Sequence, residues 1–326
     1  MAVIKAEGYG HGMLRVASAL ENADGFAVLT LEEALALRQA GFRQTILLLE
    51  GFFSADELPP LACQDIATVV HCREQIDALA EAALPRKVEV FLKINTGMNR
   101  LGILPEALPG ALERLRRSPA VGALTLMTHF ATADEADGVE GQLACFNRLS
   151  AGLGLPRTAA NSAAILRYPH SHLEWVRPGI MLYGSSPFAG ESAESLGLEP
   201  AMTLRGEVIA VQDLQAGEAC GYGHAFRAER PARVGVVACG YADGYPRHAP
   251  TGTPILVNGS RTRTLGRVSM DMLFVDLTEL PDAGIGSPVV LWGKGMPVEE
   301  VARAAGTISY ELLCARAGRV PVADGK

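Results

Sequence analysis

Lys5 closes a short apolar run, Ala2–Lys5, and leads straight into Gly8-Tyr9-Gly10-His11-Gly12. The glycines let backbone approach a ligand closely, yet the spacing is neither G-x-G-x-x-G nor a P-loop, because no Gly-Lys-Ser/Thr follows. A partly desolvated lysine amine forms imines with aldehydes, so an aldehyde cofactor such as pyridoxal phosphate suits the pattern. A solvated lysine after a strand suits it too. Chemically capable residues recur at equivalent places. Lys93, Asn95 and Arg100 lie at and after Val88–Ile94, and His129 follows Gly122–Thr128. Asn161 and Ser162 follow Thr158–Ala160, while Arg177 and Gly179 fall within Trp175–Tyr183. Ser162 offers a hydroxyl and an amide to a phosphate. Taken singly, each has a plainer reading: His129 as a core histidine bonded to a carbonyl, Arg177 as a surface ion-pair partner, Tyr222 and Tyr310 as amphipathic core tyrosines.

The elements that must position these groups alternate. Apolar runs at Ala2–Lys5, Gly25–Leu29, Thr45–Leu49, Ile66–Val70, Val88–Ile94, Gly122–Thr128, Thr158–Ala160 and Trp175–Tyr183 predict strands. Between them Leu31–Ala40, Arg73–Leu84, Glu106–Arg117 and Gly141–Gly152 carry apolar residues at helical spacing. This order predicts an α/β fold, a (β/α)8 TIM-type barrel, whose active site gathers at the C-terminal strand ends. Ser186–Gly197, rich in Gly, Ser, Glu and Pro, reads as a linker. Beyond it come Thr203–Val211, Arg233–Cys239, Pro254–Val257, Met272–Leu277 and Val289–Trp292, with turn signals at Asn258-Gly259 and Pro281-Asp282 and short helices near Val298–Ala305 and Tyr310–Ala317. The expected division is a barrel over 1–197 and a mostly β domain over 198–326.

Composition narrows the classes of function. The 326 residues carry a formal net charge of −7 with basic residues scattered, a poor match for nucleic acid. No apolar stretch approaches the roughly 18 residues of a membrane span, and the first residues do not read as a signal peptide. Six widely spaced cysteines without a C-x-x-C pair argue against a disulfide framework or a zinc site. A cytoplasmic protein without a metal is expected.

Several segments together resemble one family. IKAEGYGHG, KINTGMNRLG, MTHFATAD, ANSAA, VRPGIMLYG, CGYG, GYADGYPR, GRVSMD and ISYEL occur in the order and spacing of alanine racemases, most like the bacterial catabolic form, from Ala2 to about Val322. The resemblance implies a pyridoxal 5′-phosphate barrel joined to a β domain, paired head to tail as a homodimer that interconverts L- and D-alanine for D-alanine catabolism or peptidoglycan precursor supply. Carried over by motif, Lys5 would hold the cofactor through an imine and act as one base; Tyr222 would be the opposite base, reaching the partner subunit's cofactor. Tyr9, Asn161, Ser162, Gly179, Ile180 and Tyr310 match residues around the cofactor, and Arg177 the partner of its pyridine nitrogen. Arg100 and Met270 match contacts to the substrate carboxylate, Lys93 a lysine often carbamylated, and Tyr241 a substrate-gate tyrosine.

These roles suit racemisation. The cofactor acts as an electron sink for the carbanion, and inversion needs a proton removed from one face and returned on the other. A free tyrosine has a pKa near 10, so a hydrogen-bonded relay from Arg177 through His129 is expected to assist Tyr222. The sequence departs from the family at Glu7-Gly8, commonly Asn-Ala, at Asn95, often Asp, and at Ser269, often Cys. It also has four residues ahead of Lys5 where family members carry a strand and a helix, so a shortened N-terminus is expected. Two rival readings are a decarboxylase of the same architecture and a non-catalytic cofactor binder. The CGYG and ANSAA segments speak against the first, the retained β domain against the second.

Overall fold

The computed structural model describes residues 1–323. The chain forms two compact units that divide between Leu182 and Tyr183. In the first, β1 (Ala2–Val3), β2 (Gly25–Val28), β3 (Thr45–Leu48), β4 (Ile66–Val70), β5 (Val88–Lys93), β6 (Val121–Met127) and β7 (Arg157–Thr158) form one parallel sheet in chain order. Strands such as Ile66–Val70 are buried at every position, which is why they read as continuous apolar runs instead of alternating ones. Intervening helices bury one stripe: Leu108–Arg117 packs Leu108, Ala111, Leu112 and Leu115 inward and leaves its arginines outside. Thr30 and Glu33 form a reciprocal cap that starts Leu31–Gln39.

The eighth member of the barrel is not the regular strand expected over Trp175–Tyr183. Trp175 makes one parallel bridge with Thr158, and Arg177 N donates to Ala160 O at 2.9 Å. On the other side Val3 N donates to Pro178 O at 2.9 Å. The segment is therefore an irregular stave that closes the ring between β7 and β1. Pro178 supplies no N–H for a ladder, and Ile180–Tyr183 turns into a 3-10 helix. At the opposite end of the barrel, buried Arg38 donates to four carbonyls: Gln64 at 2.8 Å, Phe42 at 3.0 Å, Gln44 at 2.8 Å and Asp65 at 2.6 Å. It thereby fixes the loops that enter β3 and β4.

In the second unit β8 (Leu204–Leu214), β11 (Ala232–Val237), β12 (Pro254–Val257), β13 (Ser260–Leu265), β14 (Leu273–Asp276) and β15 (Pro288–Trp292) close an antiparallel barrel; β9 (Ala219–Cys220) and β10 (Phe226–Arg227) pair beside it. Asn258 and Gly259, with φ of 49° and 77°, join β12 to β13 in a two-residue turn of the primed kind. The stretch Ser186–Gly197, expected as a linker, is anchored at its start. Glu299 on the helix Val298–Ala305 accepts from Ser185 Oγ at 2.9 Å and Ser186 N at 2.6 Å, and Arg303 donates to Ala189 O at 2.8 Å. Its Gly, Ser and Pro content encodes turns instead of slack. Among the described residues no helix is long and apolar enough to cross a membrane, and no group of His, Cys, Asp or Glu is arranged to hold a metal ion.

Candidate active site

Lys5 opens a backbone turn of the wrong hand. Ala6, Glu7, Gly8 and Tyr9 have φ of 52°, 54°, 58° and 51°. Each non-glycine residue in that region costs roughly 1–2 kcal/mol, so the surroundings must hold the turn in place. They do so through Gly8 N to Ile4 O at 2.9 Å, Gly10 N to Ala6 O at 3.1 Å and Gly12 N to Glu7 O at 2.8 Å. The result is a rigid platform directly behind the lysine.

That turn brings buried Tyr9 against Gly179: a Cβ at 179 would lie 2.7 Å from the Tyr9 hydroxyl oxygen. Gly179 N in turn donates to Ser162 Oγ at 2.9 Å, and Met181 N approaches the same oxygen at 3.4 Å. Tyr9, Ser162, Gly179 and Ile180, read from sequence as phosphate neighbours, thus converge at the stave end. Asn161 stands beside them with its oxygen engaged in a helix cap, accepting from Ala164 N at 3.0 Å.

Arg177 is buried among acceptors that carry no full charge. Its Nη1 donates to Thr158 Oγ1, and Nη2 lies 2.7 Å from Thr128 O, 3.1 Å from Ala159 O and 3.3 Å from His129 Nδ1. Burial pulls its pKa down to about 10. Burial also holds His129 well below the usual histidine range, with Arg177, Lys93, Arg100 and Lys5 adding repulsion. The imidazole is therefore neutral; with Nδ1 accepting from the guanidinium, its proton sits on Nε2.

Lys93 is only 6% exposed and is pulled down to about 8, by burial first, then by Arg177 and Arg100; Glu50 opposes the shift and Lys5 adds to it. Arg100 lies on the loop after β5, which Asn95 shapes by accepting from Gly97 N and Asn99 N, both at 3.1 Å. Two further groups at the strand ends were missed from sequence, Glu50 and His71. His71 N donates to Gln75 Oε1 at 2.9 Å, and Gln75 Nε2 reaches Glu50 O at 3.4 Å and Phe52 O at 3.0 Å. Both follow strand runs directly, the same positional signal that singled out Lys5 and His129.

In the second unit Tyr241 and Met270 stand on loops bonded to each other, Tyr241 N to Ser269 O at 3.1 Å and Ala242 N to Met270 O at 2.9 Å. Arg319 bridges Asp243 at 2.8 Å and Asp271 at 2.6 Å beneath them. Tyr222 begins a separate 3-10 turn, Tyr222–His224, and is 71% exposed; Tyr310 lies in the helix Ser309–Cys314.

The barrel end thus combines cations that repel one another, Lys5, Lys93, Arg100 and Arg177, with a cluster of backbone amides and hydroxyls at Tyr9, Ser162 and Gly179. Such a concentration of positive charge suits an anionic ligand, and an amine on a rigid platform suits imine chemistry.

Comparison with known proteins agrees. The family model described as alanine racemase, N-terminal domain, matches residues 1–187, and that described as alanine racemase, C-terminal domain, matches 201–323. An alanine racemase of Nitrosospira multiformis is 61% identical over 323 residues, covering 98% of this chain and 90% of the relative. The crystal structure of biosynthetic alanine racemase from Pseudomonas aeruginosa superposes with a TM-score of 0.95 at 51% identity, covering 98% of this chain and 90% of that one. That of alanine racemase from Bartonella henselae, with covalently bound pyridoxal phosphate, gives 0.86 at 29% identity over 98% and 90%. The chain belongs to the alanine racemase family.

Proposed function

We propose that this chain interconverts L- and D-alanine with pyridoxal 5′-phosphate held in the first unit, using Lys5 and Tyr222 as bases on opposite faces of the substrate. The observation that carries this reading is the contact between buried Arg177 and half-buried His129. When bound, the cofactor supplies the electron sink that makes an α-proton removable. Lys5 would hold it covalently and exchange a proton on one face. Tyr9, Ser162, Gly179 and Ile180 would surround its phosphate, with Asn161 shaping that turn; the role of Tyr310 rests on its motif, ISYEL. Arg177 only donates, so it would face the ring nitrogen without protonating it, which moderates the sink and disfavours side reactions.

The tautomer of His129 extends the argument. With Nδ1 occupied by Arg177, Nε2–H points a donor outward. A tyrosine oxygen accepting that bond is stabilised as the phenolate, the form that removes a proton. The reading assigns that tyrosine to Tyr222 of a second copy of the chain, in a head-to-tail dimer. Its 71% exposure, with Met270 and Met272 also exposed in the same unit, supports a surface completed by a partner. Met270 of that second copy would offer its backbone amide to the substrate carboxylate held by Arg100, and Tyr241 of the same copy would line the approach.

Lys93 fits carbamylation. At a pKa of about 8 it keeps an appreciable neutral fraction near pH 7, and the neutral amine is the form that attacks carbon dioxide, releasing one proton. The carbamate would be an anion beside Arg100 and would steady it. The described cysteines stand outside any disulfide, and the reading places the protein in the cytoplasm.

The test is polarimetry of L-alanine with purified protein and excess pyridoxal phosphate. Rotation should decay to zero with wild type and slow by 10²-fold or more with Tyr222→Phe. A flat wild-type trace, or near-normal decay in the variant, overturns the assignment.

A further inference from the structure

Gln142, on the helix Glu140–Ser150, belongs to none of the matched motifs, yet its amide is engaged on both sides. Oε1 accepts from Ala131 N at 2.7 Å. Nε2 then faces two acceptors, His129 O at 3.1 Å and Thr96 Oγ1 at 3.3 Å. The amide orientation follows from the Ala131 contact, since only the oxygen can accept.

The hydrogen bonds beyond it run in one direction. Thr128 Oγ1 donates to Ile94 O at 3.0 Å, so its proton is committed. The 2.7 Å contact between the two threonine hydroxyls is then Thr96 donating to Thr128, which leaves Thr96 free to accept from Gln142. A single chain runs Gln142, Thr96, Thr128, Ile94. Its origin grips the backbone on both sides of Phe130. Its middle grips the loop that leads to Arg100, and its end lies on the residue after Lys93. Gly97 packs against the same side chain, where a Cβ would lie 3.5 Å from Gln142 Cγ.

We infer that Gln142 is a positioning residue that latches the loop after β5 to the loop after β6, so that Arg100 and His129 are set relative to each other by one amide. The inference rests on the roles proposed for those two residues. Gln142 touches neither substrate nor cofactor in this scheme. It acts by fixing the His129 backbone, and with it the 3.3 Å contact to Arg177, and by fixing the loop of Arg100. The two arms are separable, because Thr96 carries only the second.

Gln142→Leu removes both arms, Thr96→Val removes one, and Thr96→Ser keeps the hydroxyl. In the assembled enzyme, losing a neutral hydrogen bond of this kind is worth about fivefold. Thr96→Val should raise KM for alanine about fivefold with kcat and the pH profile near wild type, and Thr96→Ser should restore it. Gln142→Leu should raise KM similarly and also lower kcat, with the alkaline-side pH dependence displaced and the α-deuterium isotope effect increased in one direction of racemisation only. A lowered Tm with KM, kcat and pH profile all within twofold of wild type overturns the latch. So does Thr96→Val indistinguishable from wild type, which decides the matter even if Gln142→Leu fails to fold. Arg100→Lys and His129→Asn serve as references: if they move these parameters and Gln142→Leu does not, the latch alone fails. If neither reference moves them, the proposed site roles fail and the latch with them.

Discussion

Lys93 should destabilise the fold at neutral pH by an amount that can be titrated away. Its amine is buried beside Arg177 and Arg100, and its pKa falls from 10.5 to about 8. At about 1.4 kcal/mol per tenfold in proton affinity, protonated Lys93 costs roughly 3 kcal/mol. The sign follows from linkage: between about 8 and 10.5 the unfolded chain binds the proton that the folded chain releases, so stability rises with pH in that window. The penalty is complete below about 8 and absent above 10.5. Lys93→Met keeps the buried stem and removes the amine. In carbon-dioxide-free buffer, urea unfolding should find the variant more stable than wild type by roughly 3 kcal/mol at pH 7, with the difference closing by pH 10.5. Bicarbonate at pH 8 should raise wild-type stability, by converting a repelled cation into an anion among cations, and leave Lys93→Met unchanged. A difference that stays flat from pH 7 to 10.5 would refute the reasoning, because a packing effect has no reason to follow that titration.

Arg38→Met removes the donors to four carbonyls and should lower stability by about 3–5 kcal/mol, seen as a Tm loss on the order of 10 °C, with Arg38→Lys intermediate. Gly184→Ala should not yield folded protein at 37 °C, since a Cβ there falls 1.6 Å from Glu199 O at a φ of +73°; circular dichroism of the expressed variant checks this. Gly179→Ala should displace the Tyr9 hydroxyl and weaken pyridoxal phosphate binding about tenfold by absorbance titration, with Tm nearly unchanged.

Much of this architecture is visible in residue order, because buried parallel strands must be continuous apolar runs. Ile66–Val70 and Pro254–Val257 agree with their expected bounds to the residue. β13 was missed because Ser-Arg-Thr-Arg-Thr-Leu keeps a polar outer face on a small barrel and shows little apolar signal. The eighth stave reads as a strand because Val176, Ile180, Met181 and Leu182 are apolar, whereas Pro178 and Gly179 decide its backbone. At the site, the motif residues were legible by position along the strands. The wrong-handed turn at Ala6–Tyr9 was not, since alanine, glutamate and tyrosine carry no local preference for it. Gln142 was also invisible, being one polar residue among several on an amphipathic helix. Its partners at Thr96 and Ala131 are distant in sequence or in another element, and only the folded loops make them a set.

The irregular stave gives the first barrel a seam. β1 has two ladder partners in β2, Phe26 and Ala27, whereas on its other edge the chain meets an irregular stave through Met1 N to Val176 O at 3.0 Å and Val3 N to Pro178 O at 2.9 Å. The ring should part there first under load or heat, and the amide of Val3 should exchange with solvent sooner than those of β4. Lys5 lies just past one lip of that seam and Gly179 just past the other. A small molecule gripped by both lips acts as a clasp, so its occupancy and the closure of the ring are one linked equilibrium: each molecule bound shuts the barrel, and each opening of the barrel releases what it holds.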